Sequence, residues 1–167
     1  MWNLKDKKVL ITGGTKGIGE ACVREFLALG AQVILIARNE NEVASLEQSL
    51  IAEGNIVYGL SADVTLKRDR IKLADFVRDK WGALDILVNN AGTNIRKKVN
   101  DYDETEVQSL LDLNLTSVFE ISRILYPFLC QGKNASIINV ASIAGSFALP
   151  TGSSPYSISK AGVISNP

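Results

Sequence analysis

A run of glycines between a strand-like and a helix-like segment constrains the fold of this chain most. Residues 8–12 form a short run that is rich in β-branched residues and ends at the glycines, as in a buried strand. Thr-Gly-Gly-Thr-Lys-Gly-Ile-Gly follows at residues 12–19, and helical spacing then runs to Gly30, the expected end of the helix. The amides of such a turn and the positive helix end can bind a pyrophosphate. A tight strand-to-helix connection without a ligand is the alternative.

The same alternation of strand and helix repeats along the chain. Predicted strands are 8–12, 32–37, 56–60, 85–88 and 135–140, and predicted helices are 18–29, 42–53, 70–81 and a long stretch over 104–129. Continuous apolar strands separated by helices indicate a parallel sheet covered on both faces. We therefore predict one α/β domain over residues 1–167, a doubly wound Rossmann-type sheet in the order 3-2-1-4-5. The irregular, Ser/Gly/Pro-rich segment 145–155 follows the fifth strand, at the edge where such sheets bind ligands.

Composition excludes several classes of function. Eighteen basic residues balance eighteen acidic ones, which disfavours nucleic acid or anionic lipid as a partner. No apolar run approaches the ~20 residues of a membrane span, and the charged N-terminus does not resemble a signal peptide. The chain has no histidine and two cysteines, Cys22 and Cys130, which disfavours a metal site, a disulfide framework and a Ser-His triad. We predict a cytoplasmic protein that binds no metal, nucleic acid or membrane.

Tyr156 and Lys160 are the best candidates for acid/base chemistry. They are four residues apart and would share one face of a helix. A nearby ammonium group stabilises a phenolate, which favours proton transfer by the tyrosine near neutral pH. Taken alone, such a spacing occurs by chance in many helices and would normally indicate only a surface Tyr-Lys pair.

Taken together, these motifs resemble the classical short-chain dehydrogenase/reductase family. The matching features are the G-x-x-x-G-x-G loop, Asn-Asn-Ala-Gly at residues 89–92, Asp63-Val64 after the third strand and the Y-x-x-x-K pair. The resemblance implies an oxidoreductase that transfers a hydride between a nicotinamide cofactor and a carbonyl or secondary alcohol. The cofactor-binding residues that it implies are Gly13, Thr15, Lys16, Gly17, Ile18, Gly19, Arg38, Asp63, Val64, Asn90, Ala91, Gly92, Tyr156 and Lys160.

Charge near the second strand indicates which cofactor is used. NAD-specific members place an acid at the end of that strand, and the acid would repel a 2′-phosphate. Here the strand ends in Ala37-Arg38, and Lys16 in the glycine loop is a second cation. The pair resembles NADP-preferring members, so we predict NADP(H). Arg38 as an ordinary surface arginine is the alternative.

The resemblance also implies a catalytic tetrad of Asn114, Ser142, Tyr156 and Lys160. Tyr156 would exchange the proton, Ser142 would hydrogen-bond the carbonyl oxygen and Lys160 would stabilise the phenolate and hold the cofactor ribose. Asn114 would anchor a water that passes protons toward Lys160. The alternatives are a turn-capping role for Ser142 and a solvent-exposed position for Asn114.

Members of the family are typically longer than this chain, which continues for only seven residues after Lys160. This predicts a C-terminally truncated member that lacks the usual last strands and leaves an apolar edge strand uncovered. In the family, the helices around Asn114 and Tyr156 commonly build dimers and tetramers, which implies a homo-oligomer. The segment 89–129 looks most like the tropinone-reductase-like branch.

Two other functions compete with the enzyme. Truncation could leave a catalytically inactive dinucleotide-binding or oligomerisation module, which would bind nucleotide without turnover. Another Rossmann-type domain, such as a methyltransferase or an epimerase, is the third candidate. Sugar-nucleotide epimerases also use Y-x-x-x-K, but they usually carry a G-x-x-G-x-x-G loop, which differs from the loop here.

Overall fold

A parallel five-stranded sheet in the order β3-β2-β1-β4-β5 forms the centre of the fold. The computed structural model describes residues 3–147 and 153–165. The strands are β1 (Lys8–Thr12), β2 (Gln32–Ala37), β3 (Val57–Ser61), β4 (Ile86–Asn89) and β5 (Ser136–Asn139). The predicted doubly wound α/β sheet and its strand order are confirmed, and the observed strand ends lie within one residue of the predicted ones.

Six α-helices in the described part of the chain connect the strands. They are α1 (Gly17–Ala28), α2 (Glu40–Ala52), α3 (Lys67–Lys80), α4 (Glu104–Leu111), α5 (Ser117–Leu129) and α6 (Ser154–Ile164). Helix α2 begins two residues earlier than predicted because the Asn39 side chain accepts hydrogen bonds from the backbone N–H groups of Asn41 and Glu42. Among the helices described, none is both long and apolar enough to cross a membrane.

Successive strand residues point into two different cores. On one face, Leu10 and Ile34 pack with residues of α3 and α5, such as Leu73 and Leu125. On the other face, Val9 and its neighbours pack with residues of α1 and α2. Both layers are apolar because a parallel sheet is covered by helices on both sides. Because helices cover both faces of the sheet, a ligand can bind at the carboxyl ends of the strands, which the helices leave open.

The long helix predicted over 104–129 is wrong in one respect. A π-helical turn, Asp112–Thr116, separates α4 from α5. Asn114 lies in this turn and is fully buried, with its side chain bonded to Thr93. A π-helical turn accommodates an additional residue, and such turns are frequent at functional sites.

The segment predicted as irregular over 145–155 is partly helical. A 3₁₀ helix, Ile143–Gly145, ends there, and α6 begins at Ser154 with Pro155 in its first turn. Proline fits this position because the first N–H groups of a helix have no partner within the helix. Residues 148–152 lie outside the described part of the chain.

Strand β5 forms one edge of the sheet and pairs with β4. Its side chains Ile137 and Ile138 are 38% and 43% exposed, whereas the apolar residues at the centre of β1 are fully buried. This arrangement corresponds to the uncovered apolar edge that the sequence predicts. Such an edge can pair with a further strand.

Asp85 stabilises the end of the sheet at which the strands begin. It is 6% exposed and its carboxylate accepts hydrogen bonds from the backbone N–H groups of Lys8, at 2.9 Å, and Lys133, at 2.6 Å. The Nζ of Lys7 lies 3.9 Å from the same carboxylate. One side chain therefore joins the start of β1 to the connection that leads into β5.

We expect Asp85→Ala to lower the free energy of unfolding by about 3 kcal/mol, because two N–H groups lose a charged acceptor. Chemical denaturation followed by circular dichroism measures the change. Asp79→Ala is the matched control, since that carboxylate is exposed and forms an ion pair with the surface residue Arg78. Equal stability losses in the two variants would contradict the role assigned to Asp85.

Candidate functional site

A cleft of about 960 Å³ lies along the carboxyl edge of the sheet. Its walls come from the glycine loop, the ends of β2, β3 and β4, the segment after β5, the π-helical turn and the first turns of α6. The cleft therefore spans the point between β1 and β4 where the strand order reverses, the usual binding position in doubly wound folds.

Two of the four glycines in the loop, Gly13 and Gly19, are required by the local backbone and packing. Gly13 has a φ of +68°, a backbone conformation that other residues rarely adopt. A Cβ atom on Gly19 would lie 2.0 Å from the carbonyl oxygen of Gly13 and 2.6 Å from the Asn90 side chain. Glycine at position 19 therefore lets the start of α1 pack directly against the loop, and Ile18 and Gly19 line the cleft.

Thr12 and Asn90 join the loop to the end of β4. The Thr12 hydroxyl oxygen accepts hydrogen bonds from the backbone N–H groups of Asn90 and Ala91, both at 3.0 Å. The Asn90 amide donates to the carbonyl oxygens of Thr12, at 2.9 Å, and Gly13, at 3.2 Å. These bonds cross from one strand end to its neighbour and fix the floor of the cleft.

Asn114 is 0% exposed, so the alternative of a solvent-exposed asparagine is wrong. Its Oδ1 accepts a hydrogen bond from the backbone N–H of Thr93 at 2.9 Å, and its Nδ2 donates to the Thr93 carbonyl at 2.9 Å and to the Ser159 hydroxyl at 3.2 Å. Asn114 thus holds together the loop after β4, the π-helical turn and α6. Its side chain supports the cleft from behind and does not line it.

Tyr156 and Lys160 lie on the cleft side of α6, and Ser142 lies at the end of β5 on the same wall. The Nζ of Lys160 is 5.9 Å from the centre of the Tyr156 ring and donates a 2.7 Å hydrogen bond to the Val140 carbonyl. Burial lowers the pKa of Lys160. The Ser142 hydroxyl accepts from the backbone N–H of Ala144 at 3.2 Å, so this serine does cap a turn.

The other end of the cleft, near β2, carries charges of both signs. Lys16 and Arg38 line this end and are exposed. Glu42, from the first turn of α2, lines the same end with its carboxylate 3.7 Å from the Nζ of Lys16. The carboxylate also accepts hydrogen bonds from Thr15 and Asn39, both at 3.1 Å.

Most of the predicted site residues line this one cleft. They are Gly13, Thr15, Lys16, Ile18, Gly19, Arg38, Val64, Asn90, Ala91, Gly92, Ser142, Tyr156 and Lys160. Gly17, Asp63 and Asn114 do not line it. The Asp63 carboxylate accepts from both the backbone N–H and the hydroxyl of Thr65 and so shapes the turn after β3.

Among the residues that the sequence prediction missed are Glu42, which lines the cleft, and Thr12, which supports it through hydrogen bonds. Thr12 stands at the last position of β1, where its hydroxyl meets the neighbouring strand end. Glu42 follows the helix-capping residue Asn39 by three positions, and that spacing brings its side chain back toward the start of the helix. A threonine before the glycine loop and an Asn-x-x-Glu helix start were the available signals.

Residues 7–166 match the family model described as short chain dehydrogenase. The chain belongs to the short-chain dehydrogenase family. A tropinone reductase homolog of Arabidopsis thaliana is 37% identical over 153 residues, which cover 91% of this chain and 58% of the plant protein. The chain thus spans less than two thirds of the length of this relative.

Solved structures of other proteins share the fold closely. A gluconate 5-dehydrogenase from Burkholderia cenocepacia, in complex with NADP and tartrate, has a TM-score of 0.89 at 30% identity, over 97% of this chain and 63% of that one. Pseudomonas aeruginosa RhlG, described as an NADP active-site complex, has a TM-score of 0.89 at 32% identity, over 97% of this chain and 64% of that one. Oxidoreductases of this family use nicotinamide cofactors, and these neighbours include NADP complexes.

In this chain, Tyr102 stabilises the start of α6, the helix that contains Tyr156. Its hydroxyl lies 2.6 Å from the Ser153 hydroxyl, donates to the carbonyl of Ile95 and accepts from the backbone N–H of Lys97. Ser153 is 1% exposed and caps α6 by accepting from the backbone N–H of Tyr156. Tyr102 thereby joins the segment after β4 to the α6 cap.

We expect Tyr102→Phe to lower the free energy of unfolding by about 1–2 kcal/mol, because the Ser153 hydroxyl and the Ile95 carbonyl lose a buried partner. Hydrogen exchange should become faster locally, at residues 95–103 and 153–157. Tyr126→Phe is the control, since Tyr126 is 63% exposed on α5. Unchanged exchange in both regions would contradict the role of Tyr102.

We expect Lys160→Met to be more stable than the wild-type chain at pH 7, by about 1 kcal/mol. Burial lowers the folded-state pKa of Lys160 below its ordinary value of 10.5, so folding opposes the charged amine at neutral pH. The cost is full below the folded pKa and disappears as the pH rises toward the unfolded value. Thermal unfolding at pH 7 and pH 10 measures the difference.

The exposed Lys98 provides the matched control for this variant. Lys98→Met removes the same charge without relieving burial, so its melting temperature should stay close to that of the wild type at both pH values. A Lys160→Met chain that is less stable than wild type at pH 7, or an advantage that grows with pH, would contradict the burial cost.

Proposed function

We propose that this chain is an NADP(H)-dependent oxidoreductase acting on a carbonyl or secondary alcohol, with Tyr156 as the general acid and base. The observation that carries the proposal is that one cleft contains both a glycine loop suited to a pyrophosphate and the Tyr156–Lys160 pair. Family membership supports the same class of reaction.

The cleft suits a dinucleotide in shape and in donors. Glycine at position 19 lets the start of α1 pack against the loop, because a Cβ atom there would collide with the Gly13 carbonyl. The start of α1 thereby lines the cleft, and a helix N-terminus is suited to an anion such as a pyrophosphate. The cleft volume of about 960 Å³ is at the upper end of the range for small-molecule sites. When bound, the nicotinamide supplies or accepts the hydride.

Ser142, Tyr156 and Lys160, on one wall of the cleft, are the residues that we assign to proton transfer and to binding of the substrate oxygen. We assign the proton of the reacting hydroxyl or carbonyl to the Tyr156 phenol, with the buried Lys160 ammonium stabilising the phenolate. Ser142 is assigned to hydrogen-bond the substrate oxygen as it gains negative charge. Asn114 acts from behind the wall, by positioning Thr93 and α6 through its amide.

The choice of NADP(H) over NAD(H) is also a proposal. It is supported by the two cations Lys16 and Arg38 at the β2 end of the cleft. The NADP complexes of the two structural neighbours agree with it. Cations beside the ribose would bind a 2′-phosphate through charge-assisted hydrogen bonds.

A dinucleotide-binding or oligomerisation module without turnover is the second candidate. It stays a prediction from the sequence, and the glycine loop on which it depends lies in the same cleft. A small-molecule substrate, a homo-oligomeric state, a cytoplasmic location and a single domain over residues 1–167 stay predictions from the sequence.

We expect Tyr156→Phe to abolish NADPH oxidation with a panel of small ketones while leaving NADPH binding within about two-fold of wild type. The phenylalanine keeps the ring but removes the proton that the reaction requires. Turnover is followed by absorbance at the nicotinamide band and binding by its fluorescence. Tyr126→Phe, on the exposed face of α5, is the control and should turn over normally.

Three results would count against the proposal in different ways. Undiminished turnover in Tyr156→Phe would exclude the assigned acid and base. Wild-type binding of NADPH without turnover of any ketone would favour the non-catalytic module. Tighter binding of NADH than NADPH would contradict the cofactor choice alone.

A further inference from the structure

We propose that Glu42 is a specificity-determining residue, whose carboxylate competes with a cofactor 2′-phosphate for Lys16 and so limits the preference for NADP(H) over NAD(H). The inference rests on the proposed cofactor site and deepens it. It concerns the one acidic side chain among the described residues that line the cleft.

The Glu42 carboxylate is held in place at the β2 end of the cleft. One oxygen accepts from the Thr15 hydroxyl at 3.1 Å, and the other accepts from the Asn39 side-chain amide at 3.1 Å. Asn39 in turn accepts from the backbone N–H of Glu42, so the two residues brace each other at the start of α2. These contacts come from both neighbouring elements, the glycine loop and the helix cap.

The Lys16 side chain, in contrast, extends into solvent. It is 80% exposed, and its Nζ lies 3.7 Å from the Glu42 carboxylate. An exposed ion pair of this kind is weak and can be exchanged for another anion. A 2′-phosphate would therefore attract Lys16 away from Glu42, and the carboxylate, held by Thr15 and Asn39, would remain beside the phosphate.

The sign of the effect follows from these charges. Lys16, Arg38 and Glu42 together give this end of the cleft one net positive charge, whereas the two cations alone would give two. A phosphate carries about −1.5 to −2 charges near neutral pH. Its electrostatic attraction to the three side chains together is therefore weaker than its attraction to the two cations alone would be. A ribose hydroxyl has no charge, and a carboxylate can accept a hydrogen bond from it. Glu42 therefore disfavours the phosphorylated ribose relative to the plain one.

The test compares 2′,5′-ADP with 5′-AMP, probes of the adenosine end that differ in the 2′-phosphate and do not depend on turnover. Isothermal titration calorimetry of the full chain gives the two dissociation constants. We expect Glu42→Gln to raise the ratio Kd(5′-AMP)/Kd(2′,5′-ADP) roughly three- to ten-fold. Glutamine keeps the length and an acceptor oxygen, and thermal unfolding checks that the variant is folded.

Glu40→Gln is the matched control. Glu40 is exposed in the same first turn of α2 and does not line the cleft. The Glu40→Gln substitution removes the same charge from the same end of α2, so we expect its ratio of dissociation constants to stay within about two-fold of wild type. In about 0.5 M NaCl the rise in this ratio for Glu42→Gln should become smaller, because salt screens a charge effect. A rise caused by a structural change would not depend on salt in this way.

The outcomes separate this inference from the function on which it rests. An unchanged or lower ratio in Glu42→Gln, with both probes bound by the wild-type chain, overturns the role of Glu42 and leaves the cofactor site standing. An equal rise in Glu40→Gln also overturns it, since the effect would then belong to the overall charge of the helix. No binding of either probe by the wild-type chain overturns both proposals.

Discussion

The hydrogen bonds between Thr12 and Asn90 hold the two strand ends on which the cleft is built. A parallel sheet fixes the spacing of β1 and β4, but it leaves the loops beyond them free to diverge. The Thr12 hydroxyl and the Asn90 amide close that gap, with four hydrogen bonds of 2.9–3.2 Å between the loops. The glycine loop is thus positioned against a neighbouring strand end and not only by its own turn.

The wall of the cleft that contains Tyr156 and Lys160 is supported by the buried amide of Asn114. Its partners belong to the loop after β4 and to α6, which lie far apart in the sequence. Burial of Lys160 is a cost to folding, because a desolvated ammonium is unfavourable unless it is hydrogen-bonded, and the bond that it donates to the Val140 carbonyl offsets part of this cost. Stability is in this way exchanged for a cation beside the Tyr156 ring.

The sequence predicted the sheet well because β1, β2 and β4 are centred on continuous apolar runs bounded by polar or glycine residues. Other features depend on side-chain geometry that periodicity does not reveal. The π-helical turn at Asp112–Thr116 adds one residue without disturbing the apolar pattern on either side. The approach of Glu42 to Lys16 depends on a helix cap, and the Tyr102–Ser153 contact joins residues 51 positions apart. For the site, the motifs indicated most of the lining residues but neither the acid at the β2 end nor the contacts that hold α6.

The π-helical turn also sets the phase between the two helices that it joins. Each residue of an α-helix advances the side-chain direction by about 100°. Upstream of the turn, Leu110 is buried, and downstream Val118 and Ile121 are buried against the sheet, while Asn114 turns between them toward Thr93. Loss of a single residue here would rotate α5 by about one such step relative to α4. Evolution can therefore vary the surface residues of this segment far more freely than its length.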